Sequence, residues 1–360
     1  MKNQSVVITE PAAVAALKDI FRSNGPGNLE WKFPRAGQVV TRDGSLVAQD
    51  GALISLKLKA AGLKGVLKLH DVESLISIEA DDDLKGFIFK NLPNLAGLRL
   101  KFKGKSDIKF LADLKGLTKL FLHGNNISDL SPLSGLTKLT DLFLLKNKIN
   151  DLSPLANLTR LTKLYLLGNR ISDLSPLAGL KKLTALYLGI NNISDLSPLA
   201  GLTNLIELGL DSNMVSDLHP LAGLTALEGL NLYNNRVSDL RPLAGLTTLE
   251  ILNLVRNRIS DYRPLSGLTN LTKLFIAYNV KNSDLSPLER LTSLKEVDLK
   301  SLSEFLGLES DRTIRELLGV DSEGNLAVST DELRRRLRIM EALEEKEDKD
   351  GGQDVCRGRR

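Results

Sequence analysis

The stretch from residue 120 to residue 147, LFLHGNNISDLSPLSGLTKLTDLFLLKN, contains one complete unit of a repeat and the start of the next. Asn125 returns as Asn147, together with the two leucines that precede it, so the period is 22 residues. Seven of the twelve prolines follow the same period from Pro132 to Pro264, and an eighth, Pro287, comes one residue late. A sequence with this period is typical of a solenoid, in which each unit contacts only its neighbours.

Each position of the unit predicts a local structure. The Leu-x-Leu alternation indicates a short strand whose leucines point to one face. The string Asp-Leu-x-Pro-Leu places a capping aspartate before a proline of fixed φ, which favours a short 3-10 segment. We therefore predict an α/β repeat solenoid: a leucine-rich-repeat horseshoe with a parallel concave sheet, 3-10 segments on the convex side and capped ends.

The asparagine that follows each strand is predicted to be structural. A buried turn leaves backbone donors and acceptors without water, and an amide side chain can bond to both kinds of group. Because the copies stack at one register, we expect an asparagine ladder. Its predicted members are Asn125, Asn147, Asn169, Asn191, Asn213, Asn235, Asn257 and Asn279.

The segment from Asn157 to Leu177, NLTRLTKLYLLGNRISDLSPL, resembles the repeats of bacterial internalins. It is also similar to the leucine-rich regulatory subunit of type-one protein phosphatase. The resemblance implies a curved solenoid that binds another protein, typically through its concave sheet. Internalin-like proteins reach the cell surface with a signal peptide and often continue into an immunoglobulin-like domain. Neither feature is found in this sequence, so an adhesive role is not expected.

Four regions are predicted along the chain. Residues 1–75 form an N-terminal cap with a helix from Thr9 to Phe21 and short strands around 38–40 and 54–69. Residues 76–301 hold the repeats, clearest over 117–299, with diverged copies upstream. Residues 302–345 form a C-terminal helical cap with helices at 311–318 and 329–345, with partner binding or self-association of the second helix as the alternative. Residues 346–360 form a disordered tail.

The residues between the strand leucines face away from the core, so a binding site is sought there. Aromatic side chains concentrate in one column, and leucines lie beside them in the next. Such apolar strips are typical of protein interfaces, although cross-strand packing or duplication of an ancestral repeat would also place them. The predicted partner-binding residues are Phe121, Phe143, Leu145, Tyr165, Leu167, Tyr187, Tyr233 and Phe275.

A second cluster is basic. Five arginines occur in two adjacent repeats, mostly at loop or outer positions: Arg236, Arg241, Arg256, Arg258 and Arg263. We interpret them as a solvated rim, with binding of an acidic partner or nucleic acid as the alternative. The formal net charge of +4, from 48 basic and 44 acidic residues, is too small to favour nucleic acid by itself.

Catalytic and metal sites are not expected. The three histidines, His70, His123 and His219, are far apart in the repeat register, and the only cysteine, Cys356, lies in the predicted tail. No cofactor is predicted. The first residues lack the apolar segment of a secretory signal, and no run of about 18 apolar residues suggests a membrane span. A cytoplasmic protein is expected, with export without a cleaved signal peptide as the alternative.

The sequence thus predicts a non-enzymatic, monomeric bacterial scaffold that binds one protein partner through the concave face. One alternative is a secreted or injected bacterial effector that binds a host protein. Another is a regulatory subunit of a phosphatase or kinase, which follows from the family resemblance alone. The partner itself is not encoded in any motif.

Overall fold

The structure is a computed structural model. Up to residue 90 it describes only the residues of seven strands. Beyond that point it describes residues 92, 94–100, 102, 107–280, 283–284, 286–294 and 296–297. The predicted helices at 9–21, 311–318 and 329–345 and the predicted tail lie outside the described residues. Contacts divide the chain into two compact units, Met1–Leu183 and Thr184–Arg360, which are considered separately.

The first unit contains eleven described strands in two sheets. They are β1 (Trp31–Lys32), β2 (Gln38–Thr41), β3 (Leu46–Gln49), β4 (Ala52–Leu58), β5 (Gly65–His70), β6 (Ser77–Ala80), β7 (Leu84–Lys90), β8 (Gly97–Leu100), β9 (Lys119–Phe121), β10 (Asp141–Phe143) and β11 (Lys163–Tyr165). Strands β1 to β4 pair in antiparallel fashion. From β4 the sheet continues in parallel through β6, β8, β9, β10 and β11.

Strands β5 and β7 form a separate parallel pair. β5 overlaps the segment 54–69, for which the sequence predicts short strands, whereas no element was predicted specifically for β7. Both segments lack the Asp-Leu-x-Pro-Leu string that favours a 3-10 segment. Their apolar residues instead alternate, as in Val66-Leu67-Lys68-Leu69, and alternation favours a strand.

The second unit contains a series of short parallel strands, one for each repeat. Its described strands are β12 (Ala185–Tyr187), β13 (Glu207–Gly209), β14 (Gly229–Asn231), β15 (Ile251–Asn253), β16 (Lys273–Phe275) and β17 (Glu296–Val297). All pair in parallel with their neighbours. Residues 22 positions apart are partners as far as β16, so equivalent side chains lie side by side at the strand spacing of about 4.8 Å. The predicted leucine-rich-repeat fold is confirmed in both units.

The return segments are short 3-10 helices, and all of the described ones after the first carry the repeat proline. In the first unit they are Lys109–Asp113, Ser131–Leu133, Ser153–Leu155 and Ser175–Leu177. In the second unit they are Ser197–Leu199, His219–Leu221, Arg241–Leu243, Arg263–Gly267 and Ser286–Arg290. The aspartate two residues earlier accepts a hydrogen bond from the first backbone N–H, as Asp151 does from Ser153 at 2.8 Å. The Ser153 hydroxyl and backbone N–H both bond to Asp151 and hold the pKa of its carboxyl below the ordinary value.

Leucines of the strands, turns and return segments fill the interior. The strand leucines of β9 to β11, such as Leu120, Leu142 and Leu164, have no exposed surface. Each buried leucine contributes about 1.5–3 kcal/mol relative to an exposed one. Since each described repeat from β9 onward adds a nearly identical set of apolar residues, mostly leucines, the core extends continuously through the described repeats of each unit.

The repeat asparagines lie at the turn that follows each strand. The amide nitrogen of Asn169 donates to the carbonyls of Leu166 at 2.8 Å and Leu144 at 3.0 Å, and its oxygen accepts from the N–H of Ile149 at 3.1 Å. One side chain thereby bonds to its own repeat and to the preceding one. Asn147 makes the corresponding bonds to Leu144, Leu122 and Ile127.

The residue before each repeat asparagine takes a left-handed backbone conformation. Glycine meets this requirement at Gly124 and Gly168, but Ile190 adopts the same region with φ at +53°. Ile190 is β-branched and 53% exposed, so its side chain gains little from burial to offset the steric cost. This position is therefore a local weakness of the second unit.

Replacement of Asn169 with Ala should lower the free energy of unfolding by about 1–3 kcal/mol, because backbone groups that it bonds to lose their partner. Chemical denaturation checks the result. Asn157→Ala is the matched control, since Asn157 is exposed in the same repeat. Equal stability of the two variants would contradict a structural role for the ladder.

Replacement of Ile190 with Asn should raise the free energy of unfolding by about 1 kcal/mol, because asparagine tolerates the left-handed region better than a β-branched residue. Asn234 already occupies the equivalent position with φ at +54°. Ile190→Val keeps the branched Cβ and should give no gain. A thermal melt in which both variants behave alike would rule out backbone strain at this position.

Candidate functional site

Three aromatic rings stack on the sheet of the first unit. Phe121, Phe143 and Tyr165 are register partners on β9, β10 and β11. The centroids of Phe121 and Phe143 are 4.3 Å apart with 11° between the ring planes, and those of Phe143 and Tyr165 are 4.5 Å apart with 13°. The rings therefore form one continuous column across three strands, which we call the aromatic stack.

A cation covers one end of the aromatic stack. Arg99 is the register partner of Phe121 on β8, and its guanidinium carbon lies 4.3 Å from the centroid of the Phe121 ring. A guanidinium over a ring face is attracted by the negative charge of the π-system. The repeat period alone did not predict that Arg99 packs on this ring.

Stacking leaves the ring edges as the accessible part of this surface. All three rings are half-buried, as are Leu145 and Leu167 in the neighbouring column. The faces of Phe143 are covered by its two neighbours, so these aromatics contribute to packing of the sheet as well as to its surface. In the first unit, the surface that a partner could contact therefore consists of the ring edges of the aromatic stack and the side chains of Leu145 and Leu167.

The second unit holds different residues at the repeat position of the aromatic stack. The ring of Tyr187 lies over Gly209, where an added Cβ would come within 2.8 Å of Cδ1 of the tyrosine. Its hydroxyl donates a hydrogen bond to the carboxylate of Glu207. Gly209 thus provides the space that lets the ring lie across the neighbouring strand.

Beyond Tyr187 the sheet of the second unit contains a cavity of about 390 Å³. The column that carries aromatics elsewhere holds Gly209, Asn231 and Asn253 here, and Phe275 lines the far side. Sequence reasoning missed this cavity. The signal was the run of short residues between two aromatics in one column, and its meaning depends on strands that lie at a common register.

Tyr233 does not line the cavity. The guanidinium carbon of Arg256 lies 5.9 Å from the centroid of the Tyr233 ring and 5.1 Å from that of Tyr278. Further along the column of Tyr233, Val255 and Ala277 are buried, so these two residues present little surface to a partner.

Asp211 is a half-buried carboxylate on the same sheet. Its oxygen lies where a side chain at position 189 would stand, because an added Cβ on Gly189 would come within 2.4 Å of it. The amide nitrogen of Asn231 donates to Asp211 at 3.4 Å. Burial raises the pKa of the Asp211 carboxyl above its ordinary value.

The predicted basic cluster does not form one surface of free charges. Arg241 donates to Asp239 and Arg263 donates to Asp261, with closest distances of 2.7 and 2.8 Å. The Arg241 side chain lowers the pKa of Asp239 to about 2. These contacts agree with the interpretation of the arginines as a solvated rim.

Within the described residues, no group of three or more histidine, cysteine or acidic side chains could hold a metal ion. His219 has its Nδ1 atom 2.6 Å from the carboxylate of Asp217 at the start of a return segment, where it is exposed.

None of the described helices is long and apolar enough to cross a membrane.

Comparison with known proteins places the repeats in one family. The family described as leucine-rich repeats (two copies) matches residues 115–157, 159–201, 203–245 and 247–290. Internalin C2 of Listeria monocytogenes is 42% identical, with a TM-score of 0.50 over 52% of this chain and 82% of that chain. Another internalin of that species, InlF, is 28% identical, with a TM-score of 0.55 over 82% and 93%.

A leucine-rich-repeat protein of Leptospira interrogans is 19% identical, with a TM-score of 0.54 over 73% of this chain and 91% of that chain. At this identity the likeness shows the fold alone. No curated protein sequence matches at a significant level. No catalytic family is indicated by the matches.

Replacement of Phe143 with Asn should lower the free energy of unfolding by about 1–3 kcal/mol, because two stacked ring pairs are lost. Asparagine is compatible with this position, since Asn231 and Asn253 occupy it in other repeats. Phe275→Asn is the control, because Phe275 has no stacked ring among the described residues. Equal losses in urea denaturation would show that stacking adds nothing beyond burial.

Proposed function

Since the chain belongs to the leucine-rich-repeat proteins of the internalin type, we propose that it is a non-enzymatic, monomeric scaffold whose sheet surface binds another protein. Leucine-rich-repeat domains bind protein partners, and the described sheet surface carries side chains that are not committed to the repeat core. The proposed contact residues of the first unit are the aromatic stack together with Leu145 and Leu167.

The aromatic stack is the observation that carries this proposal. Its rings are held in place by one another and by Arg99, so they lose little conformational freedom when a partner covers them. Large, rigid aromatic side chains supply contact area at a low entropic cost. Leu145 and Leu167 extend the same apolar area in the adjacent column.

Tyr187, Tyr233 and Phe275 are proposed contact residues in the second unit. Tyr187 and Phe275 line the cavity, whereas Tyr233 interacts with Arg256. All three are half-buried, so each presents part of its ring to a partner. These three residues are proposed as contact residues because of their positions on the sheet, and the proposal does not require that they contact one another.

A second candidate is an exported bacterial effector that binds a host protein. The likeness to two Listeria internalins favours this alternative. The cytoplasmic location and the phosphatase or kinase partner expected from the sequence stay predictions. Fractionation of the producing cells into culture medium, envelope and cytoplasm separates the two locations.

The binding test uses charged substitutions that leave the aromatic rings in place. The partner is first obtained by affinity capture with the intact chain, and its dissociation constant is then measured by titration. Leu145→Glu and Leu167→Glu should each weaken binding by about 2 kcal/mol, because a carboxylate would be buried in an apolar contact. Thermal melts of both variants should stay close to that of the parent.

Lys138→Glu is the control, because Lys138 is exposed after a return segment and away from the strands. Its charge changes by more than that of the leucine variants, yet binding should be retained. If the leucine variants bind as tightly as the parent, the interface does not include the sheet of the first unit.

A further inference from the structure

The cavity of the second unit exists because its floor is built from short side chains. Gly209, Gly229, Asn231 and Asn253 line it, beside the apolar side chains of Leu208, Leu230 and Ile251. The amide oxygen of Asn231 accepts from the N–H of Tyr233, and that of Asn253 accepts from the N–H of Val255, both at 3.1 Å. These bonds hold the two amides against the strands, so they do not fill the space above.

The two ends of the cavity are aromatic. Tyr187 lines one end and Phe275 the other, on strands β12 and β16. Ring surfaces at both ends can contact either an apolar group or a cation, because a cation is attracted to the face of a π-system. The aromatic ends alone therefore do not choose between these two kinds of ligand.

One side of the cavity carries three carboxylates. Glu207, Glu228 and Glu250 line it and are exposed, and no lysine or arginine is among the lining residues. Lys273, on β16 with Phe275, and Arg256, three residues after Asn253, are not among the lining residues. Glu207 is held by the hydroxyl of Tyr187, whereas Glu228 and Glu250 extend the acidic side along the next two strands.

From this combination we infer that the cavity receives an arginine side chain of the protein partner. The inference rests on the proposed function, since it assigns one feature of the partner to one place on the sheet surface. Three carboxylates disfavour an apolar or acidic group at this place, and the aromatic ends and short-residue floor provide a slot for a long side chain. The volume is at the lower end of the range for ligand pockets.

Arginine fits this place better than lysine does. Its guanidinium is planar and more weakly hydrated, so it can lie against an aromatic ring while its N–H groups bond to carboxylates. Its methylene groups can cover the apolar parts of the floor. A lysine ammonium would satisfy the carboxylates but gains less from a ring face.

The direct probe is a capped Gly-Arg-Gly peptide, compared with the same peptide carrying citrulline, which keeps the shape but removes the charge. Titration into the intact chain at low salt should show about tenfold tighter binding of the arginine peptide. The lysine peptide should fall between them. Equal affinity for the arginine and citrulline peptides would overturn the inference.

Variants then locate the peptide. Glu228→Gln and Glu250→Gln should each weaken the arginine peptide by about two- to fivefold, as expected for exposed ion pairs. Asp113→Asn removes the same charge from an exposed position in the first unit and should have no effect. If it weakens binding as much, the attraction comes from overall charge and the cavity is not the site.

Asn253→Phe fills the cavity without changing charge. Phenylalanine is compatible with this position, because Phe275 is the register partner of Asn253 on the next strand. The variant should fold normally in a thermal melt and lose binding of the arginine peptide. Retained binding would overturn the inference, as would a dimer of the parent chain in light scattering that Asn253→Phe abolishes.

The two proposals fail in different ways. The leucine variants of the first unit should leave peptide binding unchanged, and the captured partner should lose affinity for Glu250→Gln and Asn253→Phe. If the partner responds only to the leucine variants, the arginine assignment is wrong and the scaffold function stands. If it responds to none of these variants, neither sheet surface binds it and both proposals fail.

Discussion

The asparagine at the end of each strand makes the rest of the structure possible. The chain must turn sharply there beside a leucine core that excludes water, and unpaired backbone groups would each cost about 1–3 kcal/mol. One amide side chain bonds to its own repeat and to the preceding repeat, as Asn147 and Asn169 do. The turn of one repeat is therefore completed by the next, and repeats stabilise one another in pairs.

This constraint fixes the register of the strands and thereby the chemistry of the surface. Side chains 22 residues apart lie at strand spacing, so each column behaves as a row of adjacent groups. Large aromatic neighbours stack, as in the first unit. Where the column changes to glycine and asparagine, a cavity opens, as in the second unit. Both proposed binding features thus follow from one scaffold and differ only in side-chain size.

The same scaffold also imposes a local cost. The turn requires a left-handed residue before each asparagine, and several repeats meet it with residues other than glycine. Ile190 is the least suited of these, since it is both β-branched and exposed. The leucine core of the neighbouring repeats holds the turn in place despite this strain, because the backbone bonds and buried leucines at that position outweigh a cost of about 1–2 kcal/mol.

The sequence by itself determined the period, the parallel strands, the proline-bearing return segments and the turn asparagines, because these depend on residue type at a fixed spacing. It did not determine how neighbouring surface side chains share space. Stacking of Phe121 on Arg99, the position of Tyr187 over Gly209 and the cavity before Phe275 each depend on distances across strands. The pairing of β5 with β7 in a separate sheet also required the folded chain, because alternation predicts a strand but not the strand that it pairs with.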